Sequence, residues 1–144
     1  METELCIGTK HNGYTIYTEK QCLVIHQVMS LYDNLVEKKE KDVFIKFKDI
    51  DFIEVNYSTY DSGLWGMNCM LVLKAHLKDG NIIDFHGKIE ANRDDFVAGY
   101  KLLRSLDIQF KDTFGILDYI LNSNLKRIDY ILTEMIDNKK LKAL

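Results

Sequence analysis

The stretch Met70–Gly87, MLVLKAHLKDGNIIDFHG, decides the fold because it has the pattern of two strands joined by a tight turn. Apolar residues alternate with other residues on both sides of Lys78–Asn81. An Asp-Gly pair between two alternating segments is a strong hairpin signal. We therefore predict an antiparallel sheet at the centre of the chain.

Two turn lengths fit this hairpin, and the two-residue side-chain period of a strand distinguishes them. A two-residue Asp79-Gly80 loop would place Asp84 among the leucines. A three-residue loop over 78–80 puts Gly80 at the left-handed position and pairs Lys74 with Asp84. We predict the three-residue loop. Its register gives one apolar face, which consists of Leu71, Leu73, Ala75, Leu77, Ile83 and Phe85.

Two histidines, His76 and His86, fall on the opposite face of this hairpin. They are four residue steps apart, which is roughly 13 Å at the usual strand rise. Zinc holds its nitrogen ligands at about 2.0–2.1 Å, so the pair does not share a metal. We interpret both as half-exposed strand residues.

Length and composition predict one soluble domain. A chain of 144 residues buries about two-thirds of its unfolded surface, and 47% hydrophobic with 28% charged residues is ordinary for a globular protein. No apolar run approaches the ~20 residues of a membrane span, and Met1–Cys6 is too acidic for a signal peptide. We expect a cytoplasmic protein. A net charge of −3 argues against a nucleic-acid partner.

The pattern predicts six or seven strands in all. Before the hairpin, the strand candidates are Leu5–Gly8, Tyr14–Thr18, Cys22–Met29, Val43–Phe47 and Ile50–Tyr57. Ser58–Gly66 is predicted to be a loop rich in tyrosine, tryptophan and glycine, and 107–111 a connector.

After Gly87 the spacing of the apolar residues becomes that of an α-helix. Asn92 is predicted to cap a helix over about 92–106, whose buried face contains Phe96, Val97, Tyr100 and Leu103. Gly99 costs this helix about 1 kcal/mol relative to alanine and is expected to allow a close approach to the sheet. Two further helices are predicted over 114–121 and 125–138, with Ser123 or Asn124 capping the second.

Enzyme motifs are missing from the sequence. It contains no G-x-x-x-x-G-K-[ST], G-x-S-x-G, H-E-x-x-H or G-x-G-x-x-G. Cys6, Cys22 and Cys69 have no C-x-x-C spacing and are expected to be reduced and partly buried. We predict a non-enzyme with no catalytic residue, no metal and no cofactor.

The order of these elements resembles the pleckstrin-homology (PH-like) superfold, in particular its bacterial PH-like and GRAM-like branches. The stretches that carry the resemblance are Phe47–Val55, Leu73–Phe85 and Phe96–Leu103. It implies an α+β fold, with a six- or seven-stranded antiparallel barrel or sandwich closed by a C-terminal helix. The two additional helices, within 113–144, extend past the usual end of the superfold. Another small antiparallel barrel or sheet with packed helices is the alternative.

The resemblance also divides the chain and limits its ligands. We expect a PH-like domain over residues 1–111 and a helical extension over 112–144, packed on that domain or on a partner. Phosphoinositide-binding members carry several basic residues in and after the first hairpin loop, where this chain offers only Lys10, His11 and Lys20. Inositol-phosphate binding is therefore not expected.

Two segments are candidate contact sites. The first is the aromatic loop, with Tyr57, Tyr60, Leu64, Trp65 and Met67. If exposed, it suits a peptide groove or insertion at a membrane interface; alternatively, Trp65 plugs one end of the barrel.

The second candidate site is an apolar seam at 4-3-4-3 spacing, formed by Leu121, Leu125, Ile128, Leu132 and Met135. It is too short for a free-standing coiled coil, so it packs either on its own domain or on a second chain.

The predicted function is a non-catalytic interaction module that binds an unknown protein or peptide partner, or weakly a membrane surface. One alternative is a small-ligand-binding protein or enzyme that uses the barrel mouth, and a deep pocket with convergent polar groups would favour it. The other is an oligomeric structural protein, such as a homodimer, assembled through the C-terminal helices.

Overall fold

The computed structural model describes residues 4–8, 13–26, 42–61, 67–85, 92–138 and 140–141. Over these residues the chain is α+β, with two four-stranded sheets and three helices. The first sheet contains, in order, β1 (Glu4–Gly8), β2 (Gly13–Tyr17), β3 (Cys22–His26) and β4 (Asp42–Lys46). Among the described residues, no strand pairing closes the two sheets into a barrel.

The second sheet follows a 3-10 turn over Phe47–Asp49. Its strands are β5 (Ile50–Asp61), β6 (Met67–Leu77), β7 (Ile82–Phe85) and β8 (Phe110–Lys111), in the order β7-β6-β5-β8. The helices are α1 (Arg93–Ser105), α2 (Ile116–Asn122) and α3 (Ile128–Asp137).

The central hairpin has the predicted register. Leu73 pairs with Phe85 and Lys74 pairs with Asp84. Gly80 has a φ of +94°, as the three-residue loop requires. Leu71, Leu73, Ala75 and Phe85 are buried. The choice between the two turns is therefore confirmed.

The strand β5 is longer than predicted. Ser58–Asp61 was expected to begin a loop, but these residues continue the antiparallel ladder, from Ser58 opposite Met70 to Asp61 opposite Met67. The segment has a polar composition, yet its threonine and tyrosine are good strand formers once a partner strand is available.

The connector before α2 also contains a strand. Phe110 and Lys111 pair in parallel with Ile53 and Glu54. This strand, β8, raises the number of strands in the described residues above the predicted six or seven. Two residues are too few to produce a recognisable period in the sequence.

The helix α1 is capped and packed as predicted. Asn92 Oδ1 accepts a 2.8 Å hydrogen bond from the amide of Asp94. Phe96 and Leu103 are buried. A Cβ atom at Gly99 would lie 2.9 Å from Cδ1 of Ile7, so this glycine does allow the helix to approach the sheet closely.

The predicted start of α3 is wrong. The helix begins at Ile128, and neither Ser123 nor Asn124 caps it; the N-cap is Arg127, without a side-chain cap. The backbone of Arg127 instead forms a β-bridge with Asn92. This bridge fixes the start of α3 beside the start of α1.

The apolar seam packs within the chain. Ile128, Leu132 and Met135 are buried and belong to the core that contains the sheet residues, and α3 packs on β6. Leu121 and Leu125 are half-buried against the same core. The seam therefore packs against the sheet of its own chain.

Candidate binding groove

The predicted aromatic site is only partly within the described residues. Tyr57 is buried, and its ring meets that of Phe114 edge-on at 5.1 Å. Tyr57 is therefore a core residue and not an exposed contact. Leu64 and Trp65 lie outside the described residues, as do the side chains of Tyr60 and Met67.

An open groove lies between α2, the connection after it and α3. Its volume is about 630 Å³, within the range of about 300–1,000 Å³ that is usual for ligand sites. The apolar lining comes from Phe114, Leu125 and Met135. The polar lining includes Asp118, Tyr119, Asn122, Ser123, Glu134 and Lys140.

Two polar contacts fix α2, which forms one wall of the groove. At its start, the Asp112 carboxylate accepts hydrogen bonds from the amides of Ile116 (2.9 Å) and Leu117 (2.8 Å). At its end, the Arg93 guanidinium donates to the carbonyls of Ile120 (2.9 Å) and Leu121 (2.7 Å). Side chains from outside this short helix thus form hydrogen bonds with backbone groups at both of its ends.

A hydrogen bond joins the two walls. The Tyr119 hydroxyl donates to Glu134 Oε1 at 2.7 Å and accepts from Asn138 Nδ2 at 3.1 Å. The hydrogen bond to Glu134 raises the pKa of Tyr119, because it needs the protonated hydroxyl. The spacing of α2 and α3 is therefore held by a polar contact at the groove itself.

The mouth of the groove combines carboxylates with an exposed aromatic ring. The carboxylate of Asp118 is exposed and has no hydrogen bond or ion pair among the described residues, and only its backbone carbonyl accepts a hydrogen bond, from Asn122 Nδ2. Glu134 uses one oxygen for Tyr119, which leaves Oε2 for another partner. Phe114 is 43% exposed. Lys140 is the one cationic residue of the lining within the described ranges, so the two carboxylates leave the groove with a net negative charge. A ligand with a cationic group beside an apolar one complements these walls.

A second polar cluster lies on the outer face of the second sheet. His76 Nε2 donates to Glu54 Oε1 at 2.8 Å, and Asn56 donates to the other oxygen at 2.9 Å. Phe52 stacks on the His76 ring, with centroids 4.2 Å apart. The hydrogen bond from His76 holds the pKa of Glu54 below its usual range. His76 is a half-exposed strand residue, as predicted.

A third cluster crosses three strands of the first sheet. Thr15 Oγ1 lies 2.7 Å from His26 Nε2, and His26 Nδ1 lies 3.0 Å from Asp42 Oδ1. Hydroxyl, imidazole and carboxylate follow one another as in a nucleophilic triad. Thr15, however, is 0% exposed, and a nucleophile must reach its substrate. We therefore assign this chain of hydrogen bonds a structural role.

Few residues of this groove were predicted from the sequence. Leu125 and Met135 were predicted as contact residues, but as parts of a helical seam, and both line the groove. The polar lining residues were missed, because the groove exists only once α2 and α3 are packed. Among the described residues, no group of three or more His, Cys, Asp and Glu side chains is placed to hold a metal ion.

Comparisons of the chain with protein-family models, curated proteins and solved structures find no match in any of the three. No helix within the described ranges is long and apolar enough to cross a membrane.

Proposed function

We propose that this protein is a non-catalytic interaction module and that the groove between α2 and α3 receives a peptide segment of a protein partner. The segment carries a lysine or arginine beside an apolar side chain. The observation that carries the proposal is the charge of the groove lining, where, among the described residues, two carboxylates outnumber the single cation Lys140. These carboxylates, Asp118 and Glu134, lie beside the apolar Phe114, Leu125 and Met135.

The PH-like architecture is part of this proposal. It is supported by the order of elements, with four antiparallel strands, a 3-10 turn, a second sheet built around the β6–β7 hairpin and then α1. The packing of α1 on β1 also supports it. The C-terminal extension adds the groove to this core.

The groove favours binding because its walls are held before any ligand arrives. Asp112 and Arg93 fix the two ends of α2, and Tyr119 ties α2 to α3. A site that is already ordered loses less conformational entropy when it binds.

A small ligand is the second candidate, and the volume of the groove favours it. A volume of about 630 Å³ is enough for a metabolite-sized molecule, and the same walls select an amine with an apolar body. A small amine such as isopentylamine distinguishes the two candidates. If it binds as tightly as any peptide, the ligand is a small molecule.

Selection from a displayed library of random heptapeptides tests the peptide proposal. We expect enrichment of peptides with Lys or Arg next to Leu, Ile or Phe. The variant Asp118→Asn should bind the selected peptides about fivefold more weakly. Asp137→Asn is the matched control, since it removes an exposed carboxylate of α3 that is outside the groove lining.

Two results would overturn the proposal. One is enrichment of acidic peptides, or no enrichment at all. The other is equal binding of the selected peptides to Asp118→Asn and to the unmodified chain.

A further inference from the structure

The first sheet ends at β4 with an exposed aromatic residue. Among the described strands, only β3 pairs with β4. Phe44, at the middle of β4, is 72% exposed and is the most exposed of the large hydrophobic residues in the described part of the chain. A free strand edge offers a row of unpaired N–H and C=O groups to another strand.

The backbone of β4 directs alternate residues to that free edge. The amide of Phe47 donates to Gln21 O at 2.9 Å, which shows that position 47 points its polar groups toward the β3 side. Successive residues of a strand point these groups in opposite directions. The N–H and C=O groups of Val43 and Ile45 therefore face β3, and those of Asp42 and Phe44 face outward together with the N–H of Lys46. The carbonyl of Lys46 is used by the 3-10 turn that follows, because Lys46 is its N-cap residue.

We propose that β4 pairs in antiparallel fashion with β4 of a second copy of this chain, about a two-fold axis at Phe44. Phe44 then lies opposite the partner's Phe44, and Asp42 lies opposite the partner's Lys46. The two Phe44 residues exchange both backbone hydrogen bonds, and the N–H of each Lys46 donates to the carbonyl of the partner's Asp42. The two sheets then become one continuous sheet.

The charges of β4 select this register and this partner. The ammonium group of Lys46 is exposed and has no ion pair or hydrogen bond among the described residues. Asp42 is held at the edge by His26, which is in turn hydrogen-bonded to Thr15, and this contact uses only one carboxylate oxygen. A shift of two residues in either direction would place a charged side chain opposite Phe44. Only the register centred on Phe44 matches each charge with its opposite.

The proposed dimer is a weak one. Stable interfaces bury about 1,200–2,000 Å² in total, and a pair of five-residue strands provides much less. Dimerisation is therefore expected at high protein concentration, and sedimentation equilibrium of the full chain up to the millimolar range is the measurement.

Charge reversal gives a matched set of variants. Lys46→Glu places two acids opposite each other at both ends of the pair, and Asp42→Lys does the same with two lysines. Each variant alone is expected to dimerise at least about tenfold more weakly than the unmodified chain. An equimolar mixture of the two restores opposite charges at both ends and is expected to form the heterodimer.

Two further variants keep the test decisive. Lys48→Glu makes the same charge change just outside β4 and should dimerise like the unmodified chain. Asp42→Lys removes the partner of His26 and could fail to fold for that reason alone. Phe44→Ser avoids this problem, because it removes the central ring at an exposed position, and it should weaken dimerisation. The proposal is overturned if the unmodified chain stays monomeric at millimolar concentration. It is equally overturned if Lys46→Glu and Phe44→Ser dimerise as well as Lys48→Glu.

Discussion

The hydroxyl of Tyr119 lies 2.7 Å from Oε1 of Glu134, and this contact joins α2 to α3 across the groove. The two residues are 15 positions apart, on two helices whose buried side chains belong to the same apolar core. The hydrogen bond is therefore the polar contact that sets the width of the proposed binding site.

The Tyr119–Glu134 contact predicts a stability difference that depends on pH. The pKa of Tyr119 is raised, so the contact stabilises the folded chain fully below the ordinary tyrosine pKa of about 10, and this contribution disappears as the pH rises through the folded value. Tyr119→Phe should therefore unfold at lower urea concentration at pH 8, and the difference should shrink in alkali. Tyr130→Phe, at an exposed position, is the control. A constant difference over this range would contradict the assignment.

The contact between Glu54 and His76 predicts the opposite pH dependence. The lowered pKa of Glu54 means that its contribution to the free energy of unfolding is complete above the ordinary carboxyl value of about 4.3 and is lost as the pH falls through the folded value. Glu54→Gln should therefore remove part of the acid sensitivity seen in urea unfolding between neutral pH and about pH 3. Asp84→Asn, an exposed carboxylate on β7, should leave that sensitivity unchanged.

The approach of α1 to β1 predicts that a larger side chain at position 99 destabilises the fold, because the buried Ile7 side chain would have to move. A Cβ atom there would lie 2.9 Å and 3.1 Å from two carbons of Ile7, so Gly99→Val should lower the free energy of unfolding by about 2 kcal/mol. Ala98→Val makes a β-branched change on the exposed face of the same helix and should cost less than about 0.7 kcal/mol. Equal losses for the two variants would show that the contact with Ile7 is unimportant.

The burial of α3 predicts that its apolar seam stabilises the fold of the single chain. Leu132 is 0% exposed, and Leu132→Ala should lower the free energy of unfolding by about 2–5 kcal/mol. Tyr130→Ala, at 55% exposure on the outer side of α3, should cost less than about 1 kcal/mol. If Leu132→Ala instead left stability unchanged and altered the solution mass, the seam would be an interface between chains.

Some features of the fold could be predicted because a single local rule, such as the side-chain period of a strand, left few alternatives. The register of the central hairpin follows from the side-chain period, since only the three-residue loop keeps Asp84 away from the leucines. The role of Gly99 follows from its cost within a helix, which implies a compensating close contact.

Other features depend on contacts that no short sequence pattern indicates. Asp112 caps α2 from four residues before Ile116, and Arg93 closes the same helix from another element. Thr15, His26 and Asp42 meet only when three strands pair. The groove has no pattern in the sequence, because its lining comes from two helices and the connections around them.

The most direct test of the proposed function is an NMR titration of the full, ¹⁵N-labelled chain with acetyl-Leu-Arg-amide, which carries one apolar and one basic side chain. We predict saturable shifts at the amides of groove residues such as Gly115, Asn122, Asn124 and Met135. Shifts confined to the Thr59 and Cys69 region of the β5–β6 hairpin, or no saturable shift in the groove, would contradict the proposal.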